Sequence, residues 1–279
     1  MSNIFQRGID RIWTVQHQQN SPIHMAGMVL DPSKMIESDP FLLLAEDFFK
    51  KGTFDFHPHR GIETVTYVID GKLEHYDNKA GKGELVPGDV QWMTAGRGVI
   101  HIEDPAEGET VHSLQLWVNL PREHKMAEPR YQNLRAQDMP VREAEGALIR
   151  IFSGSSGGIQ SNTKNYVPVT MVEINLEEGA SISQDLPGDY NGFIYILEGK
   201  GQFGKNKTVA EKGQVLSLEK SEAGQSSEVA IKAEERLRVL LYAGRPLNEP
   251  IVARGPFVMN TEEEIRQAYR DYMDGKFAE

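Results

Sequence analysis

The run Tyr67-Val68-Ile69-Asp70-Gly71-Lys72 is echoed by Tyr195-Ile196-Leu197-Glu198-Gly199-Lys200, and this pair constrains the fold more than any other feature of the chain. In each copy a short apolar run stops at an acidic residue followed by glycine, the punctuation of a β-hairpin. Later turn residues keep their order: Gly88-Asp89-Val90 corresponds to Gly213-Gln214-Val215, and Ala95-Gly96 to Ala223-Gly224. Leu73-Glu74-His75-Tyr76, Val90-Gln91-Trp92-Met93-Thr94 and Ser113-Leu114-Gln115-Leu116-Trp117-Val118 read as further short strands. Evenly spaced strands of this kind argue for an all-β sandwich or barrel, here present twice.

Composition narrows the function classes. The chain of 279 residues is 39% hydrophobic and 25% charged, enough for one large domain or two of about half that length. No apolar run is long enough to span a bilayer, so no membrane partner is expected. The opening Met1-Ser2-Asn3-Ile4-Phe5-Gln6-Arg7-Gly8 lacks the apolar stretch of a secretion signal, which sets a cytoplasmic expectation. The absence of cysteine removes disulfides, thiolate metal sites and a cysteine nucleophile. A net charge of −11 without a Lys/Arg cluster disfavours direct contact with nucleic acid.

The chemistry is concentrated in His57-Pro58-His59 and His101-Ile102-Glu103. Each pair is spaced i, i+2, which on a strand puts both side chains on one face. Two such strands facing each other bring His57, His59, His101 and Glu103 to one point. Three imidazoles with one carboxylate suit one divalent metal per chain, Fe(II) first, with Mn, Ni, Cu, Zn and Co as competitors. Glu63, an even step after His59, is either an alternative ligand or a carboxylate that orients a ligand histidine. Arg60 reads as a cation at the pocket mouth or a solvated charge. Phe56, Trp92 and Met93 read as pocket lining or plain core. His17, His24, His75, His112 and His124 lack a partner at ligand spacing and read as ordinary hydrogen-bonded histidines. Counting back from Gly199, the positions matching His57 and His59 are Asp185 and Pro187. Asp185 and Glu228, with no imidazole beside them, make the second copy degenerate.

Toward the end, Thr261 caps a helix, Glu264 completes a capping box, and Ile265, Ala268, Tyr269 and Tyr272 form its apolar stripe until Gly275 stops it. That helix is expected to pack on a sheet, with a partner-binding face as the alternative. The stretch from Pro121 to Pro140 reads as the connection between the halves. Ser153-Gly154-Ser155-Ser156-Gly157-Gly158 reads as a flexible loop, and the turn around Gly96-Arg97-Gly98 as tight.

Phe56 through Tyr67, Pro87 through Gly98 with His101-Ile102-Glu103, and Arg254 through Thr261 with its helix together resemble the pirin family over nearly the whole chain. The resemblance implies two tandem cupin domains, jelly-roll-like β-sandwiches or barrels. The expected division is 1–134, an N-terminal metal-binding cupin, and 135–279, a degenerate C-terminal cupin without metal that ends in a helix near 262–274. It implies iron held by His57, His59, His101 and Glu103, and moves Glu63 to the orienting role. It further implies quercetin 2,3-dioxygenase-like activity on a flavonol or related aromatic enol with O2, with Glu103 as general base. The alternative it implies is a regulatory protein whose metal governs binding to a transcription regulator or a metabolic enzyme.

Overall fold

The computed structural model describes residues 4–77 and 81–277, which fall into two compact units. The front unit comprises Gln16–Gln137 and the chain from Leu247 onward; the rear unit comprises the chain up to Val15 and Asp138–Pro246. The expected division at 134/135 lies beside the observed one, but the two chain ends do not follow it. Each end serves the other repeat. Ile9–Thr14 pairs antiparallel with Gln214–Leu218 of the rear unit, covering a strand edge that would otherwise be open. The helix expected to end the rear domain belongs to the front unit.

Arg7 explains why the first residues stay with the rear unit. Its fully buried guanidinium donates to Ser227 Oγ and to the carbonyls of Pro187, Gly188, Tyr190 and Glu219 at 2.6–3.0 Å. Burial pulls its pKa down to about 10.

In the front unit the strands that build the site are β1 (Phe41–Lys50), β2 (His57–His59), β3 (Ile62–Asp70), β4 (Leu73–Asp77), β5 (Val90–Thr94), β6 (Val99–Pro105) and β7 (Thr110–Asn119). The larger sheet has seven strands in the order Arg130–Leu134, β5, β3, β7, β1, His24–Leu30, His17–Ser21. The smaller has four, in the order β2, β6, β4, Gly81–Leu85. The connection expected from Pro121 to Pro140 is therefore partly structure, because Arg130–Leu134 closes the edge of β5.

The rear unit repeats both orders. Its seven-stranded sheet runs Val141–Ala144, Ala147–Ser153, Val169–Leu176, Leu237–Gly244, Asn191–Glu198, Gln214–Leu218, Ile9–Thr14. Its second sheet places Ser181–Pro187 on Ser226–Ala233, followed by Lys200–Phe203 and Thr208–Glu211, with Phe5–Gln6 added in parallel. The expected flexible loop after Ser153 is a small hairpin of Ser155–Ser156 and Ile159–Gln160, turned at Gly157 and Gly158 with φ of 56° and 84°.

The helix α1 spans Glu262–Met273 and is capped by Thr261, whose Oγ1 accepts from Glu264 N at 3.2 Å. Glu264 returns its carboxylate to Asn260 N at 3.0 Å, one residue before the cap, so the capping box is offset from its usual partner. Ile265 and Ala268 bury against Phe257, Met259 and Phe277, while Tyr269 and Tyr272 pack edge-on to Phe257 and stay partly exposed. Among the described residues no helix is long and apolar enough to cross a membrane.

Candidate metal centre

Strands β2 and β6 run antiparallel with His57 opposite His101 and His59 opposite Val99. Alternation then aims His57, His59 and His101 into the space between the front unit's two sheets. One ligand-capable nitrogen from each lies within 4.8 Å of the other two. Ring centroids are 4.5 Å apart for His57 and His101, 4.9 Å for His57 and His59, and 5.1 Å for His59 and His101.

The protonation logic of the three rings suits a metal. His57 Nδ1 lies 2.8 Å from the Asp55 carbonyl, which can only accept, so the neutral ring carries its proton on Nδ1 and its lone pair on Nε2. Burial, then the neighbouring His57, pushes His59 down to about 3, against a hydrogen bond to the Pro256 carbonyl; its buried Nδ1 has no hydrogen-bond partner among the described residues. His101 is also held well below its ordinary value, chiefly by burial, and both its ring nitrogens are buried without a partner among the described residues. An imidazole with two orphaned nitrogens is costly, and a cation bound at its lone-pair nitrogen would remove part of that cost. The three-histidine group fits a divalent metal on these grounds.

Glu103, expected as the fourth ligand, is buried on β6 and faces the same space, but it is not gathered into that group. Thr66 Oγ1 donates to its Oε1 at 2.7 Å and Gln115 Nε2 to its Oε2 at 2.6 Å.

Glu63 does not face the histidines. Between His59 and Glu63 the chain turns at Gly61, with φ of 80°, and a Cβ there would meet the Val258 carbonyl at 2.0 Å. The turn resets the alternation, so an even step no longer means a shared face. Glu63 accepts from Thr94 Oγ1 at 2.7 Å, and burial pushes its carboxyl up to about 7.

Three expected pocket residues lie elsewhere. Arg60 is buried under α1: Nε donates to the Arg97 carbonyl at 2.6 Å, Nη1 to Asp271 at 2.8 Å, and the guanidinium lies 4.4 Å from the Phe277 ring centre. Trp92 is fully buried on the face of β5 that carries the partners of Glu63 and Val65, away from the cavity. Met93 is packed with Ile62, Ala95, Val99 and Val258. Phe56 does line the cavity and is 59% exposed at its mouth.

That cavity, of about 510 Å³, opens beside His57, His59 and Glu103. Leu43, Phe49, Phe54, Leu73 and Trp117 supply an apolar lining, and Asp47, Thr66, Ser113 and Gln115 the polar points. Trp117 meets the His59 ring edge-on at 5.1 Å. The side chains of β7 that line the cavity are Ser113, Gln115 and Trp117, two of them polar. The alternation of that strand was visible in the sequence, but polar positions on a strand ordinarily face water, and here they face a cavity. The remaining histidines pair with carboxylates: His17 and His112 with Glu46 at 2.6 and 2.7 Å, His24 with Asp47 at 2.8 Å, His75 with Asp77 at 3.1 Å. His75 nevertheless stands close behind the group, its ring 5.2 Å from His101.

The rear unit lacks such a group among the described residues. Its matching positions follow from the ladders. His75 pairs with Glu103 and Phe203 with Ile231, each a fixed step beyond the hairpin glycines Gly71 and Gly199. His101 then corresponds to Val229, and its partner His57 to Gln184, the partner of Val229. His59 corresponds to Leu186. The expected equivalents Asp185 and Pro187 are thus one residue off, because the rear connection to the hairpin is one residue longer. Asp185 instead accepts from Gly157 N at 2.7 Å, and Glu228 from Gln6 Nε2 at 2.7 Å.

Comparison with known proteins agrees over both halves. The Pirin family model matches residues 10–118 and the Pirin C-terminal cupin domain model residues 171–278. A pirin-like protein of Solanum lycopersicum is 45% identical over 240 residues, which is 85% of this chain and 81% of the relative. The crystal structure of a Geobacillus kaustophilus protein superposes with a TM-score of 0.88 at 63% identity, covering 89% of this chain and 100% of that one. A quercetin 2,3-dioxygenase from Acinetobacter baumannii superposes with a TM-score of 0.87 at 30% identity, covering 97% of this chain and 98% of that one. With two sheet-paired repeats, one histidine group and family matches to each half, the chain belongs to the pirin family and is built from two cupin domains.

Proposed function

We propose that this chain is a metal-dependent dioxygenase that opens quercetin or a related flavonol with O2, with Fe(II) as the resident metal. The observation that carries the reading is the orphaned His101 imidazole, grouped with His57 and His59 at the end of a largely apolar cavity. The full-length likeness to a quercetin 2,3-dioxygenase supports the substrate class.

In this reading His57, His59 and His101 hold the metal through unprotonated nitrogens, and Glu103 joins them by turning one oxygen toward the group. A divalent ion held there supplies Lewis acidity toward the substrate enol oxygen and a path for electrons to dioxygen. Glu103 takes the proton of the flavonol 3-hydroxyl. Thr66 and Gln115 orient that carboxylate and leave each oxygen a lone pair for the incoming proton. Trp117, Phe49, Phe54 and Leu43 hold the flat rings and exclude water. Both atoms of O2 enter the opened product, and one ring carbon leaves as carbon monoxide, so no further oxidant or reductant is needed.

The test is anaerobic loading of the purified protein with Fe(II), then addition of quercetin and O2. The flavonol absorbance should fall with equimolar oxygen uptake and carbon monoxide release. Stoichiometrically loaded protein that leaves quercetin intact with Fe(II), Mn, Ni, Co, Cu and Zn in turn would sink the reading and favour a non-catalytic, partner-binding role.

A further inference from the structure

The cavity continues beyond the histidine group, and its far wall carries a polar pair that the reaction above does not use. Its floor is laid out in cross-strand rungs between β7 and β1: Trp117 beside Leu43, Gln115 beside Ala45, Ser113 beside Asp47. Trp117 marks the histidine end. Rungs two residues apart are separated by about 6.6 Å along a strand, which sets Asp47 and Ser113 roughly 13 Å from the Trp117 rung. The Gln115 rung, whose side chain holds Glu103, lies midway, so the pair stands one rung, about 6.6 Å, beyond the base, which is the reach from a flavonol 3-hydroxyl to the hydroxyls of its pendant ring.

Asp47 is paired on one side only. His24 Nε2 donates to Oδ1 at 2.8 Å, and the imidazole is itself braced by the edge of Phe54, ring centres 5.4 Å apart. Among the described residues no other hydrogen bond reaches the Asp47 carboxylate, and none involves the Ser113 hydroxyl. Both residues are buried yet line the cavity. A carboxylate facing an apolar cavity with an open oxygen is costly without a partner. The rear unit shows what the same rung holds inside a packed apolar cluster: Ile174 beside Val239, both fully buried.

We propose that Asp47, fixed by His24 and flanked by Ser113, is a recognition subsite for hydroxyl groups on the ring remote from the metal, so that the pocket selects polyhydroxylated aromatics. One phenol donates to the open Asp47 oxygen, and its neighbour exchanges a hydrogen bond with Ser113. An unsubstituted ring leaves the second Asp47 oxygen buried and without a donor, so rejection is stronger than a lost contact alone. Asp47 is thus a specificity residue of the cavity. The inference rests on reading the cavity as an aromatic-substrate site.

The test is binding without dioxygen. Dissociation constants are measured on metal-loaded protein for a flavonol with a catechol ring and for the same flavonol with that ring unsubstituted. Wild type should prefer the catechol form by about tenfold or more, the worth of a hydrogen bond to a charged group. Asp47→Asn and Asp47→Leu should bring the ratio to within about twofold while metal content stays at the wild-type level. Ser113→Ala, which keeps the carboxylate, should lower it by a smaller factor, and His24→Gln, which keeps a donor, should retain most of it. A wild-type ratio near one would overturn the subsite. So would an unchanged ratio in the Asp47 variants at wild-type melting temperature. Failed turnover with the binding preference intact would remove the ring-opening reaction and leave the subsite standing.

Discussion

The two cupin units share strand order, pairing and hairpin positions, yet between its sheets one opens a cavity where the other packs an apolar cluster. The difference is a small set of inward positions. His59, His101, Glu103 and His75 of the front unit match Leu186, Val229, Ile231 and Phe203 of the rear, all members of one apolar cluster. One rung of the large sheet reads Thr66, Gln115, Ala45 in front and Ile194, Leu241, Val172 behind. Polar side chains cannot fill an interior by packing alone, because each needs a partner; aliphatic ones close it completely. A repeated fold therefore becomes a container or a scaffold through its inward residues, with the backbone unchanged.

The sharpest way to break this contrast is to remove its centre. His101→Ala should abolish metal binding measured by elemental analysis, whereas Asp185→Ala in the rear unit should leave metal content unchanged. Retention of metal in the first, or loss in the second, would reject the division of labour between the units. Next in size, Glu103→Gln should keep part of the metal but lower flavonol turnover by about 10²- to 10⁴-fold, the usual contribution of a positioned base. Full activity in that variant would place the base elsewhere.

Much of this was legible in the sequence, and the losses share one cause. The repeat, the three grouped histidines and α1 follow from local spacing, which strand and helix geometry convert into faces. The misplacements of Glu63 and Asp185 both come from carrying a count of two through a turn: Gly61 in one case, a longer connection in the other. Arg60 was unreadable because its partners Asp271 and Phe277 lie at the far end of the chain. His24 reads as a hydrogen-bonded histidine, as it is, but its partner Asp47 was missed because their pairing joins neighbouring strands and nothing in their spacing marks a cavity.

A stability measurement tests the packing side of the comparison. Ile231→Ala, at the position of Glu103, leaves a void in a closed aliphatic core and should cost about 2–5 kcal/mol in urea unfolding. Leu43→Ala, on the wall of the existing cavity, removes a side chain that is only partly enclosed and should cost about 1 kcal/mol or less. Equal losses would mean the front cavity is as tightly supported as the rear core.

The smallest expected effect concerns the cost of a buried acid in the front unit. Glu63 corresponds to Asn191 of the rear unit, each lying four residues before the hairpin tyrosines Tyr67 and Tyr195. Burial raises the Glu63 carboxyl from 4.5 to about 7, outweighing its hydrogen bond from Thr94 and the nearby Arg130. Between those two values the folded chain keeps a proton that the unfolded chain has released. The stabilising contribution is therefore complete below the lower value and is lost as pH rises through the upper one. Glu63→Gln, which copies the neutral side chain of the rear unit, should flatten this trend. Compared at pH 5 and pH 8, wild type should lose on the order of 1–3 kcal/mol more than the variant in urea unfolding. Identical pH profiles would mean that Glu63 stays ionised throughout. Arg130, 4.0 Å from its carboxylate, would then hold the charge that burial resists.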